Sequence, residues 1–226
     1  MNKLYLIGDS VMKGVMLISD QPKYKIYNEC EFDSLKNEGI EVTNRSRMGA
    51  TVVYGKETLE RTLQDMPNGG GVIFEYGGND CDFNWRAISE APNEKHLPNT
   101  PCEIFKSTYR ECISKARDRG VSVALTNLIP LNAEKYLDWI SKGLNRENIL
   151  RWLGDASMLY RWHEYYNKAV EEVAREEGCH LIDLRGAFLL SHRYSNLICD
   201  DGIHPTGEGH HLIRSIIDEN AKKIFA

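Results

Sequence analysis

Short apolar runs alternate with longer amphipathic stretches along this 226-residue chain. Runs such as Leu4-Tyr5-Leu6-Ile7 are bounded by turn residues, which is typical of buried β-strands. They predict five strands, at residues 3–8, 40–45, 71–77, 121–127 and 179–183. The stretches between them predict helices near residues 10–18, at 55–66, at 103–119, across 133–177 and at 207–224. Strands that alternate with helices predict an α/β fold, a three-layer α/β/α sandwich with a five-stranded parallel sheet.

Two segments do not fit a plain alternation of strands and helices. Residues 132–166 exceed a simple crossover and form a predicted helical, aromatic-rich insertion, with Tyr136, Trp139, Trp152, Tyr160, Trp162, Tyr165 and Tyr166. Such side chains can stack on sugars, line an acyl pocket or pack in a subunit interface, and they can equally pack a helical hairpin against the sheet. Residues 82–101 lack clear periodicity, as lids and binding loops often do. We expect one of the two segments to cover the functional site.

Composition and charge fit one soluble domain that spans residues 1–226. Apolar residues make up 42% of the chain, enough for one sizeable core, and no composition shift marks a boundary. The net charge is −5 with both signs interspersed, which argues against nucleic acid as a partner. No apolar run approaches the roughly 20 residues of a membrane helix, and no secretory segment precedes the first strand. We therefore expect a cytoplasmic protein without a membrane partner, and a homo-oligomer stays open.

The cysteine and histidine patterns indicate neither a disulfide framework nor a metal centre. The six cysteines contain no Cys-x-x-Cys pair, which predicts free thiols. A catalytic role for Cys81 is disfavoured because no histidine motif belongs to it. A His/Asp-rich group near the C-terminus consists of Asp200, Asp201, His204, His210 and His211. Its spacing matches no common zinc pattern, so we expect no metal and no cofactor.

A serine follows the first predicted strand at the start of the chain. Gly8-Asp9-Ser10 comes directly after the apolar run, which places Ser10 at the carboxyl edge of the sheet, where open α/β folds keep their ligand crevice. Ser10 is therefore a candidate nucleophile. The alternative is an ordinary turn, in which Asp and Ser cap a helix and glycine adopts the required backbone angles.

A carboxylate and an imidazole lie three residues apart near the other end. Asp201 and His204 belong to a predicted loop before the last helix, so one turn can bring the carboxylate onto one ring nitrogen while the other faces outward. A serine hydroxyl needs such a base, and the base needs a group that fixes its tautomer. The alternative is an Asp-capped turn with a surface histidine.

Two glycine-containing loops could supply donors for a developing oxyanion. Gly49 follows the second predicted strand, and its N–H is not obstructed by a side chain. Asn79 follows the third predicted strand, so its amide should lie at the same sheet edge as Ser10. The alternatives are that Gly49 only relieves a turn and that Asn79 only caps a helix.

These motifs, in this order, resemble those of the SGNH hydrolases, also called GDSL esterases and lipases. They are Gly8-Asp9-Ser10, residues 44–49, Gly77-x-Asn79-Asp80 and Asp201-x-x-His204. The resemblance implies a flavodoxin-like strand order 2-1-3-4-5, with Ser10 as nucleophile, His204 as general base and then acid, and Asp201 as its orienter. It also implies an oxyanion hole formed by the N–H groups of Ser10 and Gly49 and the Asn79 amide. Val11 stands where the family's name has leucine, and the position is apolar in both cases.

The resulting hypothesis is a serine esterase that acts on a small-molecule ester through an acyl-Ser10 intermediate. We expect short-chain acyl groups, above all acetyl on a carbohydrate or a similar hydrophilic alcohol. A thioesterase or lysophospholipase with the same triad is the alternative enzyme, and activity against acyl chains of increasing length separates the two. A catalytically silent binding module is the remaining alternative, and a fluorophosphonate probe for a reactive serine tests it.

Overall fold

The computed structural model describes residues 2–19, 23–28, 32–66 and 69–225. Its strands are β1 (Asn2–Gly8), β2 (Val15–Ile18), β3 (Lys23–Ile26), β4 (Ile40–Asn44), β5 (Gly71–Glu75), β6 (Ser122–Thr126) and β7 (His180–Ile182). Five of them form one sheet in the order β4-β1-β5-β6-β7, and all neighbours in it are parallel. Counted along the chain, the strands of this sheet have the order 2-1-3-4-5. The predicted α/β class and strand order are therefore confirmed.

Helices cover both faces of this sheet. They are α1 (Ser10–Lys13), α2 (Asp33–Asn37), α3 (Val52–Asp65), α4 (Gly78–Cys81), α5 (Trp85–Glu90), α6 (Cys102–Arg117), α7 (Ala133–Ile140), α8 (Arg146–Leu153), α9 (Ser157–Glu176), α10 (Leu184–Leu189), α11 (Tyr194–Leu197) and α12 (Gly207–Phe225). Within the described part of the chain, none of them is both long and apolar enough to cross a membrane.

Alternate residues of β1 enter two separate cores. Tyr5 and Ile7 pack with residues of α3, α6 and α9 on one face of the sheet. Leu4 and Leu6 pack with residues of α10 and α12 on the other face. Because both faces are covered, residues 4–7 of β1 are all apolar instead of alternating with polar ones, as expected for a central parallel strand. The two cores hold β1 firmly, and this strand delivers the residues of the Gly8-Asp9-Ser10 turn.

The predicted helix at 10–18 is wrong beyond Lys13. Gly14 has a φ of 91°, and its N–H bonds back to the carbonyls of α1, which ends the helix in a left-handed cap. Residues 15–18 instead form β2, which pairs antiparallel with β3 in a two-stranded sheet. Residues 15–18, which were predicted as helix, are therefore a strand with alternating burial. This β2–β3 hairpin was not predicted.

The two irregular segments of the sequence pack together. Residues 82–101 contain the short helix α5, which the sequence did not predict, and Asn84 caps it by accepting the N–H of Ala87. The predicted insertion contains α7, α8 and the first turns of α9. Trp85 and Ile88 of α5 share a third apolar cluster with residues of these three helices. The two segments thus form one structural unit on the sheet.

Candidate active site

Ser10 is presented by a tight junction between β1 and α1. Asp9 caps α1, since its Oδ1 accepts the N–H of Val11 at 2.8 Å. A Cβ at Gly8 would lie 2.6 Å from Cβ of Met12, so the strand and the helix approach too closely for any larger residue. Ser10 is only 7% exposed, but it lines a cleft. The junction therefore fixes the hydroxyl at the carboxyl end of a central strand.

The structure brings Ser10, His204 and Asp201 into one chain of hydrogen bonds. Oγ of Ser10 lies 2.9 Å from Nε2 of His204, and Nδ1 of the same ring lies 2.7 Å from Oδ2 of Asp201. When Nδ1 carries the proton that Asp201 accepts, Nε2 is left to accept the proton of the serine hydroxyl. The arrangement can therefore deprotonate Ser10 during a nucleophilic attack.

Asp201 is held as a carboxylate in a buried turn. Its Oδ1 accepts the N–H groups of Ile203 at 3.1 Å and of His204 at 3.0 Å. Burial alone would raise the pKa of this carboxyl, but the hydrogen bonds and the charge of His204, together with the two backbone donors, hold the pKa below its ordinary value. The turn needs Gly202, which has a φ of 80° and packs directly against the backbone of α7.

Gly49 and Asn79 line the same cleft as Ser10. Gly49 has a φ of 75°, a conformation that favours glycine. No acceptor among the described residues takes the N–H of Ser10 or of Gly49. Asn79 lies inside α4 and does not cap it; its Nδ2 donates to Oδ2 of Asp9 at 2.9 Å. One amide hydrogen is thus used to fix the side chain, and the other is available to a ligand.

A buried acid beneath Ser10 was missed at the sequence level. Glu75 ends β5 and is 3% exposed, and its Oε2 accepts the N–H groups of Asp9 at 3.3 Å and of Met12 at 3.2 Å. Burial, and then the adjacent Asp9 carboxylate, raises the pKa of Glu75 well above its ordinary value. Burial also raises the pKa of Asp9, although its hydrogen bonds oppose this. The available signal was one acidic residue at the end of a wholly apolar strand.

The cleft that opens at Ser10 has a volume of about 450 Å³ and mostly apolar walls. Both irregular segments contribute to it. From residues 82–101 come Phe83, Trp85, Leu97 and Pro98, and from the helical insertion come Trp152, Leu153, Met158, Leu159 and Trp162. The ring of Phe83 lies 4.9 Å from that of Trp152 and 5.6 Å from that of Trp162. The expectation that one of these segments covers the site is thus met by both of them.

Three further titratable side chains near the cleft, Cys81, His163 and His210, are buried. Cys81 is buried and donates to the carbonyl of Gly78, and burial raises the pKa of its thiol well above the ordinary value. His163 lines the cleft with a buried Nδ1 that has no hydrogen-bond partner in the described chain, and burial lowers its pKa to about 3. Nε2 of His210 contacts the carbonyl of Val15 at 2.9 Å. Among the described residues, no three His, Cys, Asp or Glu side chains are grouped to hold a metal ion.

Comparisons with known proteins find one matching family and several solved structures that are similar to this chain. The model of the GDSL-like Lipase/Acylhydrolase family matches residues 6–212. The lipase/acylhydrolase from Enterococcus faecalis superposes with a TM-score of 0.67 at 18% identity, covering 99% of this chain and 96% of that one. TesA superposes with a TM-score of 0.64 at 20% identity, covering 99% of each chain. A mutant acetyl-xylooligosaccharide esterase from Geobacillus Stearmophilus gives 0.65 at 19% identity, covering 99% and 94%. No curated protein matches the sequence. At these identities the structural likenesses show a common fold.

Proposed function

Because the chain belongs to the GDSL-like lipase/acylhydrolase family, we propose that it hydrolyses carboxylic esters or thioesters through an acyl-enzyme intermediate on Ser10. The observation that carries the proposal is the line of hydrogen bonds from Ser10 through His204 to the buried Asp201, which ends in a cleft. An activated hydroxyl beside an apolar cleft suits acyl transfer, in which the cleft binds one side of the ester.

In the acylation step, Oγ of Ser10 attacks the carbonyl carbon, and Nε2 of His204 takes the hydroxyl proton. The new Oγ–C bond gives a tetrahedral intermediate, whose collapse breaks the bond to the alcohol or thiol. His204 returns the proton to this leaving group. Asp201 stabilises the imidazolium while the proton is held there. Water then repeats the sequence on the acyl-Ser10 ester, and the acid is released.

The charge that develops on the carbonyl oxygen is met by donors already in place. We assign the N–H groups of Ser10 and Gly49 and the second amide hydrogen of Asn79 to this role. The assignment is supported by their position around the cleft and by the absence of a competing acceptor for the two N–H groups within the described chain. Each donor of this kind typically contributes about 2.7–4 kcal/mol to transition-state stabilisation.

The cleft favours an apolar acyl group over an acetylated sugar. Several polar atoms of its aromatic walls are used internally: Nε1 of Trp85 and the hydroxyl of Tyr136 both donate to Asp82, at 2.8 and 2.6 Å, and Nε1 of Trp162 donates to the carbonyl of Cys81 at 2.8 Å. A sugar would therefore find few free partners there, whereas an acyl chain loses nothing by leaving water. Of the enzyme classes that the sequence leaves open, this favours the thioesterase or lysophospholipase; acetyl-carbohydrate esters stay a prediction of the sequence.

The test is a series of p-nitrophenyl esters from acetate upward, with Ser10→Ala as the control. We expect kcat/KM to rise by about fourfold for each methylene that enters the cleft, because each is worth about 0.8 kcal/mol. A maximum at acetate would support the acetyl esterase instead. Turnover by Ser10→Ala, or a folded wild-type protein that no fluorophosphonate labels, would rule out the proposed mechanism.

A further inference from the structure

The β2–β3 hairpin lies on the loop that carries Asp201 and His204. Three contacts fasten it there: His210 Nε2 to the Val15 carbonyl at 2.9 Å, Cys199 Sγ to the Leu17 carbonyl at 3.7 Å, and Ser19 Oγ to Asp200 Oδ2 at 2.6 Å. The partners of the hairpin extend from Cys199 to His210, at the end of the first turn of α12. The hairpin is therefore fixed to both sides of the loop that supplies the base.

Tyr24 of β3 reaches from this hairpin to the catalytic pair. Its ring centroid lies 4.9 Å from that of His204, with 57° between the planes. On its other side the ring meets Trp139 of α7 edge-on at 6.3 Å. Burial, and then the charge of the nearby Asp201 carboxylate, raises the pKa of Tyr24 above its ordinary value. The phenol is thus kept protonated, as a donor.

We propose that Tyr24 is a positioning residue for the triad: its ring, which packs on the His204 imidazole, holds the plane of that imidazole, and its hydroxyl donates to the Asp201 carboxylate that also accepts Nδ1–H of His204. This inference rests on the proposed function. Tyr24 is not among the residues that line the cleft, so it acts through Asp201 and His204 and does not touch the substrate. Each further donor that a carboxylate accepts weakens its attraction for the imidazole proton.

Two substitutions separate the hydroxyl from the ring. In Tyr24→Phe the ring stays and the Asp201 carboxylate loses one donor, so the acidic limb of the kcat/KM profile should move to higher pH with KM unchanged. In Tyr24→Ala the imidazole loses its packing partner, and kcat should fall by about tenfold because small misplacements of reacting groups are costly. The other described titratable groups with an electrostatic effect on His204 or from it, Asp9 and His210, are intact in both variants.

A double-mutant cycle tests whether the hydroxyl acts through Asp201. In an Asp201→Asn background the carboxylate charge is gone, so adding Tyr24→Phe should no longer shift the profile. Tyr27→Phe is the matched control, because Tyr27 ends the same hairpin but stacks on His210 at 5.8 Å. It should leave the acidic limb where the wild type has it.

A measurement without turnover separates this inference from the proposed function. The Nδ1 proton between His204 and Asp201 should give a low-field proton NMR signal, and Tyr24→Phe should move it to lower field while Tyr27→Phe does not. Absence of Ser10-dependent hydrolysis would overturn the proposed function and leave this comparison intact. If Tyr24→Phe matches the wild type in both the pH profile and the NMR signal, or shifts the pH profile equally in the Asp201→Asn background, the positioning role is wrong.

Discussion

Two buried carboxyl groups flank Ser10, and they differ in how they hold a proton. Asp201 is 0% exposed and Glu75 is 3% exposed, so the two are equally removed from water. Nevertheless, the pKa of Asp201 lies below its ordinary value, whereas that of Glu75 lies well above it. Burial by itself therefore does not decide the charge of a carboxyl group.

The difference lies in the neighbours of each group. Asp201 accepts two backbone N–H groups and the ring N–H of His204, which together outweigh the cost of burying its charge. Glu75 also accepts two backbone N–H groups, but its third neighbour is the Asp9 carboxylate. One side of Ser10 thus holds an anion that supports a base, and the other side holds a carboxyl group whose surroundings favour its protonated form and which supports the nucleophile turn. Two titratable groups whose pKa values are shifted in opposite directions in this way can serve different roles.

Replacing Asp201 by its amide should give the largest effect. Asp201→Asn keeps the shape of the side chain but removes the charge and favours the wrong imidazole tautomer, so kcat should fall by a factor approaching about 10⁴. Steady-state kinetics on a well-cleaved p-nitrophenyl ester measure it, and a circular dichroism spectrum checks the fold. A loss smaller than about tenfold would mean that the ionised carboxylate is unnecessary and would remove one half of the comparison.

Asn79, whose amide donates to the Asp9 carboxylate beside Glu75, should give the next largest loss of kcat when it is replaced. Asn79→Ala removes a proposed oxyanion donor, so kcat should fall by about 10²–10³ with little change in KM. Asn99→Ala is the control, because Nδ2 of Asn99 supports the backbone carbonyl of Asn79 at 2.9 Å and not its side chain. An unchanged kcat together with a lowered Tm in Asn79→Ala would show a purely structural residue.

The amide of Glu75 should give a much smaller kinetic effect. Glu75→Gln keeps an oxygen that can accept the N–H groups of Asp9 and Met12, and its NH₂ can donate a hydrogen bond as a protonated acid can. We expect kcat at neutral pH to stay within about tenfold of the wild type, since a protonated acid and an amide are close analogues. Glu75→Ala, which removes the acceptor, should lose more. A loss in Glu75→Gln as large as that in Asp201→Asn would show that Glu75 acts as an anion.

The same variant should change how stability depends on pH. The folded-state pKa of Glu75 is raised above its ordinary value of 4.5, so the wild type loses stability as pH rises from there toward the folded-state pKa. Glu75→Gln cannot titrate, and its Tm relative to the wild type should therefore increase as the pH rises above about 4.5 toward the folded-state pKa of Glu75. The change should be a few degrees, since about 1 kcal/mol corresponds to about 2–4 °C in a domain of this size. A constant Tm difference across that range would contradict the raised pKa.

The parts that the sequence predicts are those with strong local signals. Apolar runs located the five strands of the main sheet, and turn residues at strand ends located Ser10, Gly49, Asn79 and the Asp201 loop. The β2–β3 hairpin escaped because residues 15–18 are too few to show a period, and the left-handed conformation of Gly14 is a choice that only the packed structure reveals. The partner of the Asn79 amide could not be read either, because Asp9 lies 70 positions away.

The contact between Gly202 and α7 limits how this protein can diversify. A Cβ at Gly202 would lie 2.4 Å from N of Tyr136, and the carbonyl of Gly202 accepts the N–H of Asn132 at 2.8 Å. The start of α7 therefore supports the loop that carries Asp201 and His204. α8 and the first turns of α9 contribute to the cleft without this contact. The cleft-lining residues from α8 onward can therefore be replaced to change the substrate, provided that the first turn of α7 is kept.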